Sequence, residues 1–257
     1  MSNGPILPTL WMFLVPFFAI LIPLWLGERY GNYLRKRRGE MHDAPISSAV
    51  GASLALFAFM LALTFDMVGD RFAKRKELLV NEISDIRTSY LNAGLVPEPI
   101  RSKSRKFLVE YVDLRVELRR DLSKLEPIRL RSHVILDSLW HYSEELAAQD
   151  RSSEAYSLFM SSISNLVRSF NERITVALQF RLPSAILYVL SFVGFFSTLA
   201  LGFQFGVSGK ASFLVNLLLG ITFATVMWLI LALDHPETGV IQISEAPMMT
   251  LQQELHR

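Results

Sequence analysis

The sequence predicts an all-α membrane protein with four transmembrane helices in a 2+2 arrangement around a cytosolic helical bundle. Four long apolar runs indicate this, at residues 6–27, 46–69, 184–206 and 213–233. A helix of roughly 20 residues, rising about 1.5 Å per residue, spans the roughly 30 Å hydrocarbon core of a bilayer. An open sheet in lipid would leave backbone groups unpaired, so the runs are predicted to be helices.

Composition agrees with a membrane protein that carries a polar middle. Hydrophobic residues make up 51% of the chain, charged residues make up 19%, and the mean hydropathy is +0.31. Residues 70–182 hold 19 basic and 16 acidic side chains. This near balance is typical of a soluble helical domain and argues against a nucleic-acid partner. The absence of cysteine excludes disulfides, thiolate catalysis and cysteine-based zinc sites.

The first apolar run is predicted to be an uncleaved transmembrane helix. No Lys or Arg precedes it, and no small-residue cleavage site follows it. Pro8, Pro16 and Pro23 should bend this helix, because each one removes a backbone donor. The same three prolines leave open a broken or re-entrant segment.

The second apolar run is predicted to continue as a helix beyond the membrane, to about Asn92. Apolar side chains keep helical spacing past the run, at Leu78, Leu79, Ile83, Ile86 and Tyr90. Gly94 and the prolines of residues 97–99 then end the helix.

Three more amphipathic helices are predicted before the third apolar run. The first has apolar positions at Phe107, Tyr111, Leu114, Leu118 and Leu122 and is expected to end at Pro127. The second is marked by Ile135, Leu139, Tyr142 and Leu146, and residues 150–153 form a loop. The third is marked by Tyr156, Phe159, Ile163, Leu166, Phe170, Ile174 and Leu178, and Pro183 follows it at the membrane.

These elements predict four regions. Residues 1–69 hold transmembrane helices 1 and 2, and residues 70–182 form the cytosolic helical domain. Residues 183–234 hold transmembrane helices 3 and 4, and residues 235–257 form a C-terminal tail. Eight basic residues flank the membrane on the domain side and six on the other, so the positive-inside rule does not decide the orientation. We expect the domain and both termini to be cytoplasmic, at the inner membrane.

Motifs for catalysis or cofactor binding are missing from the sequence. It has no Walker A, G-x-G-x-x-G, G-x-S-x-G or H-E-x-x-H motif. His133 and His141 share a helical face, but no cluster of carboxylates surrounds them, which favours ordinary structural histidines over a metal site. No catalytic residue, metal or cofactor is predicted.

Small and acidic residues in the second apolar run are the best site candidates. Gly51, Ala55, Ala58 and Ala62 form a stripe at helical spacing, and Asp66 lies one turn further on. Such stripes are typical of close helix packing, and a pore-facing stripe is the alternative. Asp66 either faces a water-filled path or ends the helix at the interface. Asp234 is expected to anchor the fourth helix at the interface.

Ordered motifs across residues 50–254 resemble those of the bacterial bestrophin-like family, long catalogued as a domain of unknown function. The first half of the resemblance lies in Leu63-Thr64-Phe65-Asp66-Met67, Asp70-Arg71-Phe72, Val80-Asn81-Glu82-Ile83, Thr88-Ser89-Tyr90-Leu91, Leu95-Val96-Pro97-Glu98-Pro99 and Tyr111-Val112-Asp113-Leu114-Arg115. The second half lies in Phe170-Asn171-Glu172, Arg181-Leu182-Pro183 and Leu233-Asp234-His235-Pro236. Only the first helix lies outside the resemblance.

The resemblance implies an ion channel, because the family is distantly related to bestrophins, which assemble as pentamers. It implies a homo-oligomer in lipid that passes inorganic ions along the second transmembrane helix. It makes Phe57, Leu61, Thr64 and Phe65 constriction candidates. Asp66 is added to them as a departure from the family, since a ring of its carboxylates, one from each copy, would set the sign of the permeant ion. The alternative is a non-conducting scaffold or signalling protein whose cytosolic bundle docks a partner. A membrane enzyme is a weaker third interpretation, since no acid, base and nucleophile converge.

Overall fold

The structure is a computed structural model that describes residues 6–38, 43–179, 182–209, 213–234 and 241–256. Within these ranges nearly every residue is helical and no strand occurs. Four of the helices are long and apolar enough to cross a membrane. The predicted all-α membrane fold is therefore confirmed.

Eight α-helices make up the described part of the chain. In order, they are α1 (Ile6–Arg38), α2 (Asp43–Asn92), α3 (Ile100–Arg120), α4 (Leu125–Gln149), α5 (Glu154–Gln179), α6 (Ser184–Ser208), α7 (Phe213–Asp234) and α8 (Ala246–Leu255).

The chain divides into two compact units. The membrane unit comprises Met1–Ala73 and Arg181–Gln242, and the helical unit comprises Lys74–Phe180 and Ile243–Arg257. Helix α2 contributes to both, because its 50 residues form one uninterrupted helix. At about 1.5 Å per residue it is roughly 75 Å long, far more than a bilayer needs. Only its apolar part, residues 46–69, is therefore assigned to the membrane.

Helix α1 is continuous over 33 residues, although Pro16 and Pro23 lie inside it. A proline inside a helix removes one backbone hydrogen bond, and membrane helices tolerate this where neighbouring helices pack against them. Helix α1 packs along α6 and α7. In the described residues α1 is therefore one continuous helix, and not a broken or re-entrant segment.

Glycine pairs bring α1 and α6 into backbone contact within the membrane unit. A Cβ on Gly206 would lie 2.8 Å from the Gly31 Cα, and a Cβ on Gly27 would lie 2.8 Å from the Phe203 backbone nitrogen. Gly202 likewise faces the α1 backbone. Small residues four apart on each helix allow this approach. The Gly-x-x-x-Gly spacing at residues 27–31 and 202–206 was the available signal, and the sequence analysis did not use it.

Helices α2 to α5 and α8 supply the core of the helical unit. Ile86, Tyr111 and Phe170 are fully buried there, together with Met248 and Leu251 of α8. The residues predicted as a C-terminal tail thus include a helix that completes this core. Its ten residues are too few for periodicity alone to identify them.

The helix boundaries agree with the sequence analysis at most positions. Helix α2 ends at Asn92, as the apolar spacing predicts. The prediction that Pro127 ends the next helix was wrong, because α3 ends at Arg120 and Pro127 lies in the first turn of α4. A proline fits the first turn of a helix, where its missing N–H has no intrahelical partner.

Candidate functional site

The membrane part of α2 has one face covered by its own protomer. Phe57, Leu61 and Thr64 lie on this covered face, and none of them is more than 4% exposed. The Phe57 ring packs on Gly194, where a Cβ would lie 2.8 Å from the ring. The Thr64 hydroxyl donates a 2.7 Å hydrogen bond to the α2 carbonyl one turn earlier. Three of the five constriction candidates therefore face the core of their own membrane unit.

A polar contact fixes this face of α2 against α6. The hydroxyls of Ser53 and Ser197 lie 2.7 Å apart, and Ser197 also lies 3.1 Å from the Ser53 carbonyl oxygen. The hydroxyl of Thr198 bonds back to its own helix at Gly194, at 2.8 Å. The Ser53–Ser197 contact thus holds this face of α2 against α6.

The opposite face of α2, which we call the open face, carries the small-residue stripe. Gly51, Ala55, Ala58 and Ala62 are all exposed in the protomer. A Cβ on Gly51 would have no atom within 4 Å. Within the described ranges the stripe is thus exposed, whereas the glycines of α1 and α6 are in backbone contact. Whatever covers the open face must come from outside the protomer.

Asp66 continues the open face by one turn and is also exposed. It makes no hydrogen bond or ion pair with any residue in the described ranges, and that includes Arg71. The side chain of Phe65, next to it, is 40% exposed. Of the five constriction candidates, Phe65 and Asp66 are the two that a neighbouring molecule or ion can reach.

Asp234, the residue expected to anchor the fourth helix at the interface, has a defined partner in the structure. It ends α7, only 6% of it is exposed, and its carboxylate accepts a 3.2 Å hydrogen bond from the Leu182 backbone N–H. Asp234 therefore joins the end of α7 to the start of α6 inside the membrane unit.

The sequence analysis missed a second polar pair in the membrane unit. The amide nitrogen of Asn216 on α7 donates a 2.6 Å hydrogen bond to the carboxylate of Glu28 on α1. Asn216 is 6% exposed, and its amide oxygen is buried without a partner. The pair was missed because Glu28 lies one residue past its apolar run and Asn216 is uncharged.

A buried ionic cluster lies in the helical unit and joins three of its helices. The carboxylate of Glu82 on α2 is completely buried. It accepts hydrogen bonds from the Tyr111 hydroxyl and from Arg115, whose Nε lies 3.2 Å away, both on α3. Arg173 on α5 also donates to Glu82, and its other nitrogen lies 3.7 Å from the Glu245 carboxylate.

The charges of this cluster balance, since two carboxylates meet two guanidinium groups. Burial raises the pKa of the Tyr111 hydroxyl well above its ordinary value, and the neighbouring Glu82 charge raises it further. Burial is the largest influence on the pKa of Arg115 and would lower it, but the charge and hydrogen bond of Glu82, together with Tyr111 and Glu245, raise the pKa above its ordinary value. Tyr111 thus stays a hydrogen-bond donor and Arg115 a cation. The sequence signal for this cluster was a charge on an otherwise apolar helix face. Glu82 lies between Leu79 and Ile86 on such a face, and Arg115 lies between Tyr111 and Leu118.

Comparison with known proteins identifies the family. The sequence profile of the Bestrophin-like domain matches residues 24–248, which is most of the chain. The chain belongs to the bestrophin-like family. The match begins inside α1 and ends inside α8, so it includes both units. No curated protein matches the chain.

The bestrophin-like chain also resembles solved structures of a bacterial bestrophin homologue from Klebsiella pneumoniae. Two crystal structures of point variants of that protein each share 18% identity with it, at a TM-score of 0.69, and cover 96% of this chain and 97% of theirs. A third variant structure shares 17% identity at a TM-score of 0.69 and covers 99% of this chain and 98% of its own. At this identity the likeness shows a common fold.

Proposed function

We propose that this bestrophin-like protein is an ion channel of the bacterial inner membrane, built from several copies of the chain around an axis near the open face of α2. The observation that carries the proposal is Asp66, an exposed and unpaired carboxylate at the end of an uncovered stripe on a membrane helix. Ionisable side chains in membrane helices almost always face a protein interior or a water-filled path. A ring of copies provides such a path.

The small-residue stripe supports the assembly. In lipid the hydrophobic effect does not drive helices together, so contacts rely on close approach at small side chains. Gly51, Ala55, Ala58 and Ala62 offer such a surface and leave it uncovered in the protomer. The family resemblance suggests five copies. Phe57, Leu61 and Thr64 are covered by their own membrane unit, so we propose Phe65 and Asp66 as the residues nearest the ion path.

Asp66 then sets the charge of the permeant ion. One carboxylate from each copy would form a ring that concentrates cations and repels anions. The helical unit and both termini are proposed to lie in the cytoplasm. We propose no catalytic role, because the buried cluster around Glu82 is charge-balanced and Glu82 itself is sealed from solvent.

Planar-bilayer recording of the purified protein tests the channel proposal. Under a tenfold salt gradient, Asp66→Asn should move the reversal potential toward the anion value, by up to about 59 mV for complete loss of selectivity. Asp137→Asn is the matched control, since it removes an exposed carboxylate from α4 in the helical unit. An unchanged reversal potential in Asp66→Asn would contradict the proposed ring.

If the unaltered protein passes no current, the scaffold interpretation replaces the channel. Exposed apolar side chains on α4 support a scaffold that docks a partner. Leu130 and Val134 lie four residues apart on this helix, and each is more than half exposed. A partner of the helical unit would cover them.

A further inference from the structure

Glu28 of α1 lies one residue past the first apolar run and has no cationic partner within the residues that the structure describes. It lies between Gly27 and Gly31, and a Cβ on Gly31 would lie 3.0 Å from the Val207 nitrogen of α6. Glu28 is thus alongside the last turns of the third apolar run, although its own run ends one residue earlier. Within the described residues its carboxylate makes no ion pair, and its one hydrogen bond comes from Asn216. An isolated carboxylate in an apolar setting is costly.

Asn216 adds a second oxygen with nothing to bind. Its amide oxygen is buried without a partner, while the amide nitrogen of the same group donates to Glu28 at 2.6 Å. Buried polar atoms of native proteins almost always have a partner. The amide N–H thus serves one Glu28 oxygen, while the other Glu28 oxygen and the Asn216 amide oxygen have no donor among the described residues.

The distance between these oxygens suits a cation. The 2.6 Å hydrogen bond and the width of an amide group, about 2.3 Å between its nitrogen and oxygen, place the two oxygens at most about 5 Å apart. Hard cations bind oxygen at about 2.3–2.6 Å, as Ca²⁺ does, and Na⁺ has nearly the same radius. One ion can contact both oxygens when the bonded N–H is on the same side of the amide as its oxygen, because the two oxygens are then about 3.5 Å apart. A single carboxylate balances a single positive charge, which favours a monovalent ion.

The site is also held rigidly. Gly202 and Gly206 bring the α6 backbone against α1, and a Cβ on Gly202 would lie 3.0 Å from the Glu28 nitrogen. Ligands on packed helices keep their positions better than ligands on loops.

We infer that Glu28 and Asn216 form a binding site for a monovalent cation, with Na⁺ as the ion to test, where α1 meets α7 in the membrane unit. The Glu28 carboxylate supplies the charge and the Asn216 amide oxygen supplies a neutral ligand. The site uses residues of α1 and α7, not of α2, and does not depend on conduction.

Thermal unfolding of the purified full-length protein in detergent tests this site. Chloride is held constant while Na⁺ is replaced by N-methyl-D-glucamine. Na⁺ should raise the Tm in a saturable manner, because an ion that binds only the folded state stabilises it. Glu28→Gln should weaken the apparent Na⁺ affinity by roughly tenfold or more. Asp137→Asn, which removes an exposed carboxylate from α4 in the helical unit, should leave the Na⁺ response intact.

Asn216→Asp separates cation binding from a simple hydrogen bond. The substitution removes the amide donor and sets two carboxylates side by side, so the variant should be less stable than the unaltered protein without Na⁺. If a cation binds between the two groups, Na⁺ should restore this loss and raise the Tm more than it does in the unaltered protein. Asn171→Asp, an exposed position on α5, is the control for general effects of added charge.

Two results would overturn the inference. One is a Tm that does not depend on Na⁺ in the unaltered protein, which would mean that water or the hydrogen bond alone satisfies the pair. The other is a full Na⁺ response in both Glu28→Gln and Asn216→Asp, which would place the ion elsewhere.

Discussion

The Glu82→Gln substitution should destabilise the helical unit far more than any surface charge change. Glu82 is completely buried, while the side chains of Arg115 and Arg173 are 9% and 20% exposed. Neutralising Glu82 keeps the shape of the side chain but leaves two guanidinium groups short of a counter-charge. Removing one partner of a buried ion pair costs about 3–5 kcal/mol. Glu245 still faces Arg173, so we expect the lower end of this range, about 3 kcal/mol.

Thermal unfolding followed by far-ultraviolet circular dichroism measures this loss. For a unit of roughly 120 residues, about 3 kcal/mol corresponds to a fall in Tm of about 12 °C. The matched control is Glu77→Gln, on the same helix. Glu77 pairs with Lys74 at 3.0 Å, but the two side chains are 56% and 50% exposed. An exposed ion pair contributes little, so this control should keep its Tm within about 2 °C.

A double-mutant cycle identifies the cause of the loss. Arg115→Met should also destabilise, because it leaves Glu82 with only Arg173 as a cationic partner. The double variant should lose less stability than the sum of the two single changes, since neither charge is then left alone. If Glu82→Gln unfolds like Glu77→Gln, or if the two effects are additive, the cluster does not act as a coupled ionic network.

Further predictions concern pH, packing, assembly and orientation. The pKa of Tyr111 is raised in the folded protein, so the stabilisation by its hydroxyl is present below the unfolded value of 10.0 and is lost as pH rises above it. The difference in unfolding free energy between the unaltered protein and Tyr111→Phe should therefore shrink by about 1.4 kcal/mol per pH unit in denaturation curves. Gly202→Ala should lower the Tm by separating α1 from α6, whereas Gly69→Ala, where a Cβ meets nothing within 4 Å, should not lower it. Ala58→Leu should weaken assembly in native mass spectrometry, and a monomeric unaltered protein would contradict the proposed oligomer. A cysteine in place of the exposed Ser152, in a chain without other cysteines, should resist an impermeant thiol reagent in intact cells, and its labelling would reverse the proposed orientation.

The sequence by itself determined the membrane class and most helix ends of this protein. A membrane helix is predicted by comparing the length of an apolar run with the thickness of a bilayer. This prediction does not require knowing which residues the helix contacts. The end of α2 at Asn92 also follows from local pattern, because Gly94 and the prolines of residues 97–99 together disfavour continuation of the helix. Pro127 shows the limit of local pattern, since a proline suits the first turn of a helix as well as it ends one.

Only the tertiary structure decided which face of each helix is covered. Phe57, Leu61 and Thr64 are as apolar or small as lipid-facing residues, so composition could not place them inside the membrane unit. The Glu82 cluster joins positions from 82 to 245, and the Glu28–Asn216 pair joins positions 188 apart. Such sites arise where separate helices meet, and a pattern read along one helix carries no information about its neighbours.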